Sequence, residues 1–504
     1  MGLFDRLRGA DDPRVAFLGI DGVPFSLIED NPDRFPNLTA MAETGSAGAI
    51  DSIVPPESSA CWPALTTGVN PGETGVYGFQ DRENGTYDTY VPMGGDVQAT
   101  RIWDRVTDAD RRATVMNVPV TFPPQRNVQR MVSGFLSPGV ERAAYPDEFG
   151  DYLDSAGYRL DVNPKLGHAA DRTDFVEDAN ETVDRRFEAF EHFILEDDWD
   201  LFFGVFMTTD RVNHFLYRDY EHGDRGGYQP TDEDGRPVEP PADFDGREAF
   251  LGFYERVDGY VGQIRDALAD DVTLVVASDH GFTSLDYEVH LNEWLEREGW
   301  LSFETEDHED LSDIAEDALA YSLIPGRFYL NLEGREPRGG VPESEYEARR
   351  DELQSMLESL EGPDGRPVAD RVVGKESAYR GDHADIAPDL TVVPNRRVRP
   401  QGGVHRERRG VRHRTTKRDA QLPRHDARGR RPGRDDDGRR PPRHRPDRPR
   451  PDGHRRPPDG VRRREPGLSG APTLLCDPAA SAARCRSTST ARSWPNDSAP
   501  SSAA

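Results

Sequence analysis

The chain has 504 residues, enough for one large α/β domain or two to three smaller ones. Its formal net charge is −30, but residues 401–504 hold 25 Arg and one Lys against 12 acidic residues, so this tail carries +14 and residues 1–400 carry −44. The whole chain has three Cys, which excludes a disulfide-stabilised secreted scaffold, and no apolar run approaches the length of a membrane span.

The acidic body is also poor in lysine, with only Lys165 and Lys375 before the tail. Such a surface stays hydrated in concentrated salt, where repulsion between like charges is screened. We therefore expect a salt-adapted, halophilic protein, with an ordinary acidic protein as the alternative. Residues 1–14 lack the apolar core of a signal peptide, so a cytoplasmic location is expected.

The first predicted strand covers residues 15–21, VAFLGID, and ends at Asp21. Residues 35–45 have helical apolar spacing and a glycine stop, and residues 49–54 are strand-like. The next segment, PPESSACWPALTTG, places Ser58 just before a compact apolar helix. A hydroxyl at a helix start lies where an anion such as phosphate is held well, so Ser58 is a candidate functional residue.

Apolar runs and helical segments alternate through the rest of the body. Further strands are predicted within residues 113–124, 130–139, 201–210, 272–282, 328–332 and 389–394, further helices within 171–196, 244–270 and 343–361, and a surface insertion at 221–243. This alternation predicts an α/β fold with a mostly parallel central sheet sandwiched by helices. Three predicted strands end in carboxylates, at Asp21, Asp210 and Asp279, which places all three acids on one edge of the sheet.

Residues that commonly bind metals accompany these acids. His214 follows Asp210 by four positions, which puts both on one face of a helical turn, and His280 directly follows Asp279. Another histidine, His405, stands in the late segment GGVHR. Mixed Asp and His ligands suit Zn²⁺ or Mn²⁺, and a cluster of this size suits two ions that act together on a phosphoryl group.

These motifs resemble the alkaline phosphatase superfamily, in its type I phosphodiesterase/nucleotide pyrophosphatase branch, over residues 13–405. The resemblance maps the first metal aspartate of LGIDG onto Asp21 and the nucleophile, ten residues before the Gly of a Thr-Gly pair, onto Ser58, with the adjacent Ser59 as the alternative. It implies that one ion is held by Asp21, Ser58, Asp279 and His280, and a second by Asp210, His214 and His405. The ions implied are two Zn²⁺, with Mn²⁺ or Mg²⁺ as alternatives.

The activity implied by the resemblance is hydrolysis of phosphodiesters or phosphomonoesters through a phosphoseryl intermediate on Ser58. The expected partner is a small phosphorylated substrate, recognised by insertions within residues 80–200 and 283–380. No membrane or specific nucleic-acid partner is expected, and the oligomeric state stays open. The alternatives are phosphoglycerate mutase-like phosphate transfer, or a catalytically impaired, truncated product.

The chain changes character near Arg408. Residues 408–504 are rich in Arg and Pro and lack apolar periodicity, so a disordered tail is expected after a catalytic domain at residues 1–407. A basic arm that binds nucleic acid is one interpretation. We prefer another interpretation, a frameshift near residues 408–411. An Arg-rich arm does not match the acidic composition of residues 1–400, and a GC-rich gene that is read out of frame encodes a sequence of this composition.

Overall fold

Five parallel strands form the centre of the fold in the computed structural model. The structure describes residues 13–169, 171–223, 244–305, 307–308 and 310–403, and the backbone of residues 473–476. The described strands, in chain order, are β1 (Arg14–Ile20), β2 (Ser46–Ala49), β3 (Asp81–Arg82), β4 (Thr89–Tyr90), β5 (Ala113–Val118), β6 (Arg130–Ser133), β7 (Ala144–Tyr145), β8 (Leu201–Phe206), β9 (Val272–Ala277), β10 (Tyr287–His290), β11 (Ala320–Ile324), β12 (Arg327–Leu330), β13 (Ala369–Gly374), β14 (Leu390–Pro394), β15 (Val398–Gln401) and β16 (Thr473–Cys476).

The main sheet has the strand order β2-β16-β9-β1-β8-β5-β6-β7. Strands β9, β1, β8, β5 and β6 run parallel, β16 runs antiparallel to both β2 and β9, and β7 runs antiparallel to β6. Strands β5 and β8 are buried along their whole length, as their nearly continuous apolar sequences require. The predicted α/β class with a mostly parallel sheet is confirmed.

Helices cover both faces of this sheet. The described α-helices are α1 (Phe25–Glu29), α2 (Pro36–Thr44), α3 (Ser58–Thr67), α4 (Pro71–Thr74), α5 (Ile102–Asp108), α6 (Val140–Ala143), α7 (Asp147–Ser155), α8 (Pro164–Gly167), α9 (Thr173–Glu196), α10 (Thr208–His222), α11 (Gly246–Ala267), α12 (Leu291–Glu298), α13 (Tyr346–Glu358) and α14 (Lys375–Ala378). Alternate residues of β1 point to opposite faces, as the pleat of a strand requires. Leu18 therefore belongs to the apolar core that includes residues of α2, α9, α10 and α11, whereas Phe17 packs against the core that contains the tryptophans of α3 and α5.

A second sheet has its own apolar core, shared with α12 and α13. Its order is β11-β12-β14-β13, and every neighbouring pair is antiparallel. The expectation that residues 328–332 and 389–394 extend the parallel alternation is therefore wrong. Only Pro325 and Gly326 separate β11 from β12, which is a hairpin connection, whereas parallel neighbours need a crossover of a dozen or more residues.

Two further predictions need correction. Residues 50–54 are not a strand; the strand ends at Ala49, and Ser52 Oγ instead donates to the carbonyl oxygen of Asp279 at 2.7 Å, so this stretch runs as a loop beside the end of β9. Asp210 does not end a strand either, because β8 stops at Phe206 and Asp210 lies in the first turn of α10.

All the described residues belong to one compact unit. Most of the predicted insertion at 221–243 and of the predicted tail, including the proposed frameshift, lies outside the described residues. No helix in the described part of the chain is long and apolar enough to cross a membrane.

Candidate active site

The carboxyl ends of β8, β1 and β9 are level with one another. Ile20 is in register with Phe206 of β8, and Gly19 with Ala277 of β9. The residues that follow these three adjacent strands therefore emerge at one edge of the sheet, which is where open parallel sheets build their sites.

Asp21 lies at the centre of this edge and is fully buried. Ser58, the first residue of α3, donates its hydroxyl to Asp21 Oδ1 at 3.1 Å. Trp62 donates its indole Nε1–H to the other oxygen, Oδ2, at 2.6 Å. Because Ser58 and Trp62 are one helical turn apart, a single face of α3 contacts both carboxylate oxygens. Ser59 is buried and makes neither bond, so Ser58 is the hydroxyl that faces the cluster.

Gly22 turns the chain sharply after Asp21. Its φ angle is +70°, in the left-handed region that glycine occupies without steric penalty. A Cβ atom here would lie 3.2 Å from Asp210 Oδ1, so the space between the loops is also restricted. The backbone N–H of Gly22 donates to Asp279 Oδ1 at 3.1 Å and so ties the end of β1 to the end of β9.

Asp279 and His280 follow β9 and face the same space. His280 Nδ1 lies 2.8 Å from the carbonyl oxygen of Gly281 and must donate to it, which directs Nε2 toward Ser58 Oγ, 2.9 Å away. An imidazole fixed in this way presents its second nitrogen to a metal. Asp279 Oδ2 is buried and has no hydrogen-bond partner among the described residues.

Asp210 and His214 approach from α10. His214 Nε2 lies 3.4 Å from Asp210 Oδ2, as the four-residue spacing predicts. The His214 side chain is 53% exposed, so it forms the solvent side of the site. Arg211 Nη1 is 3.8 Å from the same Asp210 oxygen, while its guanidinium is held by two hydrogen bonds to Asp161 Oδ2 at 2.9 and 3.1 Å.

Three neighbouring buried carboxylates perturb the protonation of the cluster. Burial and the charges of Asp279 and Asp210 raise the pKa of Asp21 well above its ordinary value. Burial opposes the charged form of His280, but the surrounding carboxylates outweigh it and raise the pKa of this imidazole to about 9. Burial also raises the pKa of Asp279. The cluster thus gathers more negative charge than its own side chains balance, which favours a bound cation.

The geometry fits a metal site. One ligand atom each from Asp21, Asp210 and His280 lie within 4.8 Å of one another. This group draws members from both of the predicted ligand sets, so the two sets are adjacent at the sheet edge. Asp279 Oδ2, which accepts no hydrogen bond among the described residues and lies 3.6 Å from His280 Nε2, supplies a further oxygen. Carboxylate and imidazole ligands together suit zinc or manganese.

The structure brings six of the seven predicted site residues to this edge: Asp21, Ser58, Asp210, His214, Asp279 and His280. His405 lies outside the described residues. The hydrogen bond from Trp62 to Asp21 was not predicted from the sequence, although the four-residue spacing from Ser58 was an available signal. Sequence reasoning missed Glu57 altogether, because an acid next to a serine carries no signal of its own.

The comparison with protein families finds one match over most of the chain. The model of the family described as type I phosphodiesterase / nucleotide pyrophosphatase matches residues 15–419. No curated protein matches the chain. Similar solved structures include phosphonoacetate hydrolase from Sinorhizobium meliloti 1021 in complex with phosphonoformate, at 16% identity and a TM-score of 0.48, covering 77% of this chain and 82% of that one. They also include murine ectonucleotide pyrophosphatase / phosphodiesterase 5, at 13% identity and a TM-score of 0.43, covering 78% and 83%.

Proposed function

The chain belongs to the type I phosphodiesterase / nucleotide pyrophosphatase family of phosphoester hydrolases, and we propose that it hydrolyses a small phosphorylated substrate with Ser58 as nucleophile. The observation that carries the proposal is the pair of contacts made by Ser58 Oγ, 3.1 Å from Asp21 Oδ1 and 2.9 Å from His280 Nε2, at the mouth of a metal-ligand cluster. A serine hydroxyl is a weak nucleophile, so it needs such neighbours to be activated.

Two divalent ions are part of the proposal, zinc in the first place and manganese or magnesium as alternatives. Asp21, Ser58, Asp279 and His280 would hold one, and Asp210, His214 and His405 the other. When bound, the ions would supply the positive charge that offsets the charge on the phosphoryl oxygens. The contact between the two ligand sets at Asp21, Asp210 and His280 supports this arrangement.

The chain's own residues then divide the reaction between them. Ser58 Oγ attacks phosphorus in line and forms its bond to phosphorus while the bond from phosphorus to the leaving oxygen breaks, and the proton lost by the Ser58 hydroxyl balances the proton that the leaving oxygen gains as it departs as an alcohol. Water hydrolyses the resulting phosphoseryl ester, which releases phosphate or a phosphomonoester and restores the Ser58 hydroxyl. Asp21 and His280 orient this hydroxyl before attack, and Trp62 and Gly22 hold the carboxylates behind it.

A direct test uses the full chain supplemented with zinc or manganese. We expect turnover of bis-p-nitrophenyl phosphate or p-nitrophenyl phosphate that Ser58→Ala abolishes and that Ser59→Ala leaves in place. Acid quenching followed by mass spectrometry of the peptide containing Ser58 would detect the phosphoseryl group. Turnover that persists in Ser58→Ala would refute the nucleophile, and interconversion of 2- and 3-phosphoglycerate without hydrolysis would favour the mutase alternative.

Three sequence-based expectations remain part of this proposal. The acid surplus and scarcity of lysine before residue 401 support salt adaptation. The buried, free thiol of Cys61 is compatible with a reducing, cytoplasmic location. The change of composition near Arg408 supports a frameshift, in which case the chain is impaired at the His405 site. Resequencing the gene and finding one continuous native frame through the tail would disprove the frameshift.

A further inference from the structure

A fully buried arginine of the second sheet reaches the residue next to Ser58. Arg327 of β12 is 0% exposed, and its Nη2 donates to Glu57 Oε2 at 2.8 Å. Its Nη1 donates to Asp81 Oδ1 at 3.0 Å and to the carbonyl oxygen of Gln80 at 2.9 Å. A single guanidinium therefore joins the start of α3 to the loop that leads into β3. Its planar fork suits this double attachment.

Glu57 is fixed at both its side chain and its backbone. Its Oε2 accepts a second hydrogen bond from the backbone N–H of Phe79 at 3.0 Å. Its carbonyl oxygen accepts the N–H groups of Ala60 and Cys61, at 2.9 and 2.8 Å, in the first turn of α3. Since Ser58 is the next residue, the clamp on Glu57 sets where the backbone enters the helix and where Ser58 Oγ points.

Gly78 shows how closely the clamp is packed. A Cβ atom at this position would lie 1.6 Å from Arg327 Nη2 and 2.3 Å from Glu57 Oε2. No side chain fits there without displacing the guanidinium or the carboxylate. The backbone of residues 78–81 therefore lies directly against the ion pair.

We infer that Arg327 is a positioning residue for Ser58, acting through Glu57. The inference rests on the proposed function, because it takes Ser58 as the nucleophile. The arginine does not contact the hydroxyl; it holds the preceding residue so that Oγ stays in reach of Asp21 and His280. A misplacement of about 1 Å at a reacting atom lowers the rate by as much as about 100-fold.

The second sheet thus contributes to the reaction without supplying a ligand. Asp81 shares the guanidinium with Glu57, and burial raises the pKa of the Asp81 carboxyl to about 6. Arg82, the next residue, makes a separate buried ion pair with Glu336 at 2.8 Å. This neighbouring pair joins the same loop to the same part of the fold but does not reach Glu57, so it offers a matched control.

The test compares Arg327→Met, Arg327→Lys, Gly78→Ala and the control Arg82→Met in the full chain with zinc and bis-p-nitrophenyl phosphate. We expect Arg327→Met to lower kcat by about 30- to 100-fold at saturating zinc, with KM within about twofold of wild type, because positioning acts on the reacting geometry rather than on substrate binding. Arg327→Lys should restore part of kcat, and Gly78→Ala should lower kcat in the same way while every charge is retained. Arg82→Met should lose stability but keep kcat within about threefold.

Equal kcat in Arg327→Met and Arg82→Met at matched loss of stability would overturn the inference. If Arg327→Met does not fold, two other variants test the inference, Gly78→Ala and Glu57→Gln, which keeps the side-chain shape. The criterion is the same, a lower kcat at an unchanged KM. A crystal structure of the variant gives a readout independent of activity. A shift of Ser58 Oγ by about 1 Å relative to Asp21, compared with wild type, supports positioning, and an unmoved Oγ refutes it. This readout still holds if wild type hydrolyses neither ester and the proposed function fails.

Discussion

Replacing Trp62 with phenylalanine tests how Asp21, a proposed metal ligand, is held in place. The indole Nε1–H lies 2.6 Å from Asp21 Oδ2 in a fully buried setting, and a phenyl ring keeps apolar packing against Phe203 while removing the donor. A hydrogen bond to a charged group contributes about 1.5–3 kcal/mol, and its loss here leaves one oxygen of a buried carboxylate unpaired. Because 1.4 kcal/mol corresponds to a factor of ten, we expect zinc affinity to fall by about 10- to 100-fold.

The assay titrates metal-depleted protein with zinc in the presence of a competing chromophoric chelator. Trp103→Phe is the control, because Trp103 is equally buried and its ring centroid lies 5.7 Å from that of Phe203, but its indole N–H donates to Gln125. Both variants should lose stability from the smaller ring, and only Trp62→Phe should lose zinc affinity. If the two variants bind zinc alike, the indole does not hold Asp21 and the reasoning fails.

Three further predictions concern stability. Gly22→Ala should lower the free energy of unfolding in urea by about 1–2 kcal/mol, because alanine is strained at a φ of +70°. The same variant should bind zinc more weakly. An unchanged unfolding free energy and an unchanged zinc affinity would contradict this and show that the loop relaxes. Burial raises the pKa of Asp81 to about 6, so the folded state binds this proton more tightly than the unfolded chain does. The free energy of unfolding, measured in urea relative to Asp81→Asn, should therefore fall by about 3 kcal/mol between about pH 4 and pH 7. A free-energy difference between the two proteins that stays constant or rises over this range contradicts the prediction. Glu336→Ala leaves the buried Arg82 without its carboxylate and should destabilise the protein by about 3–5 kcal/mol in thermal unfolding; a loss below about 1 kcal/mol would show that the pair is not isolated from water.

The residues at the edge of the main sheet were predictable because two apolar runs in the sequence each end in an acidic residue. An apolar run long enough for one buried strand precedes Asp21, and a similar run precedes Asp279 and His280. Parallel strands then bring their carboxyl ends together whatever the rest of the chain does. His214 was found by its four-residue spacing from Asp210, but Asp210 itself was predicted to end a strand, whereas the chain enters α10 before it.

Long-range contacts were not predictable in the same way. Arg327 and Glu57 are 270 residues apart, and nothing near either residue indicates the other. The second sheet was missed for a related reason. An apolar run such as β12 is compatible with either kind of sheet, and only the two-residue connection from β11 decides for an antiparallel pair. Phe79 illustrates the limit for single side chains, because a phenylalanine is most often buried, whereas this ring is 44% exposed and stacked on Phe135.

The sheet edge and the long-range hydrogen bonds make different contributions to the site. A sheet edge can bring Asp21, Asp210 and Asp279 together, but burial and the neighbouring carboxylates oppose ionisation, so the pKa values of Asp21 and Asp279 are raised. Neutral donors also hold two of the carboxylates in place, the indole of Trp62 at Asp21 and the backbone N–H of Gly22 at Asp279. A further cationic side chain at these two positions would compete with the proposed metal ions for the carboxylate charge. Arg327, which we infer to position Ser58, contacts the adjacent Glu57, and its charge is paired with Glu57 and Asp81 rather than with the proposed metal ligands.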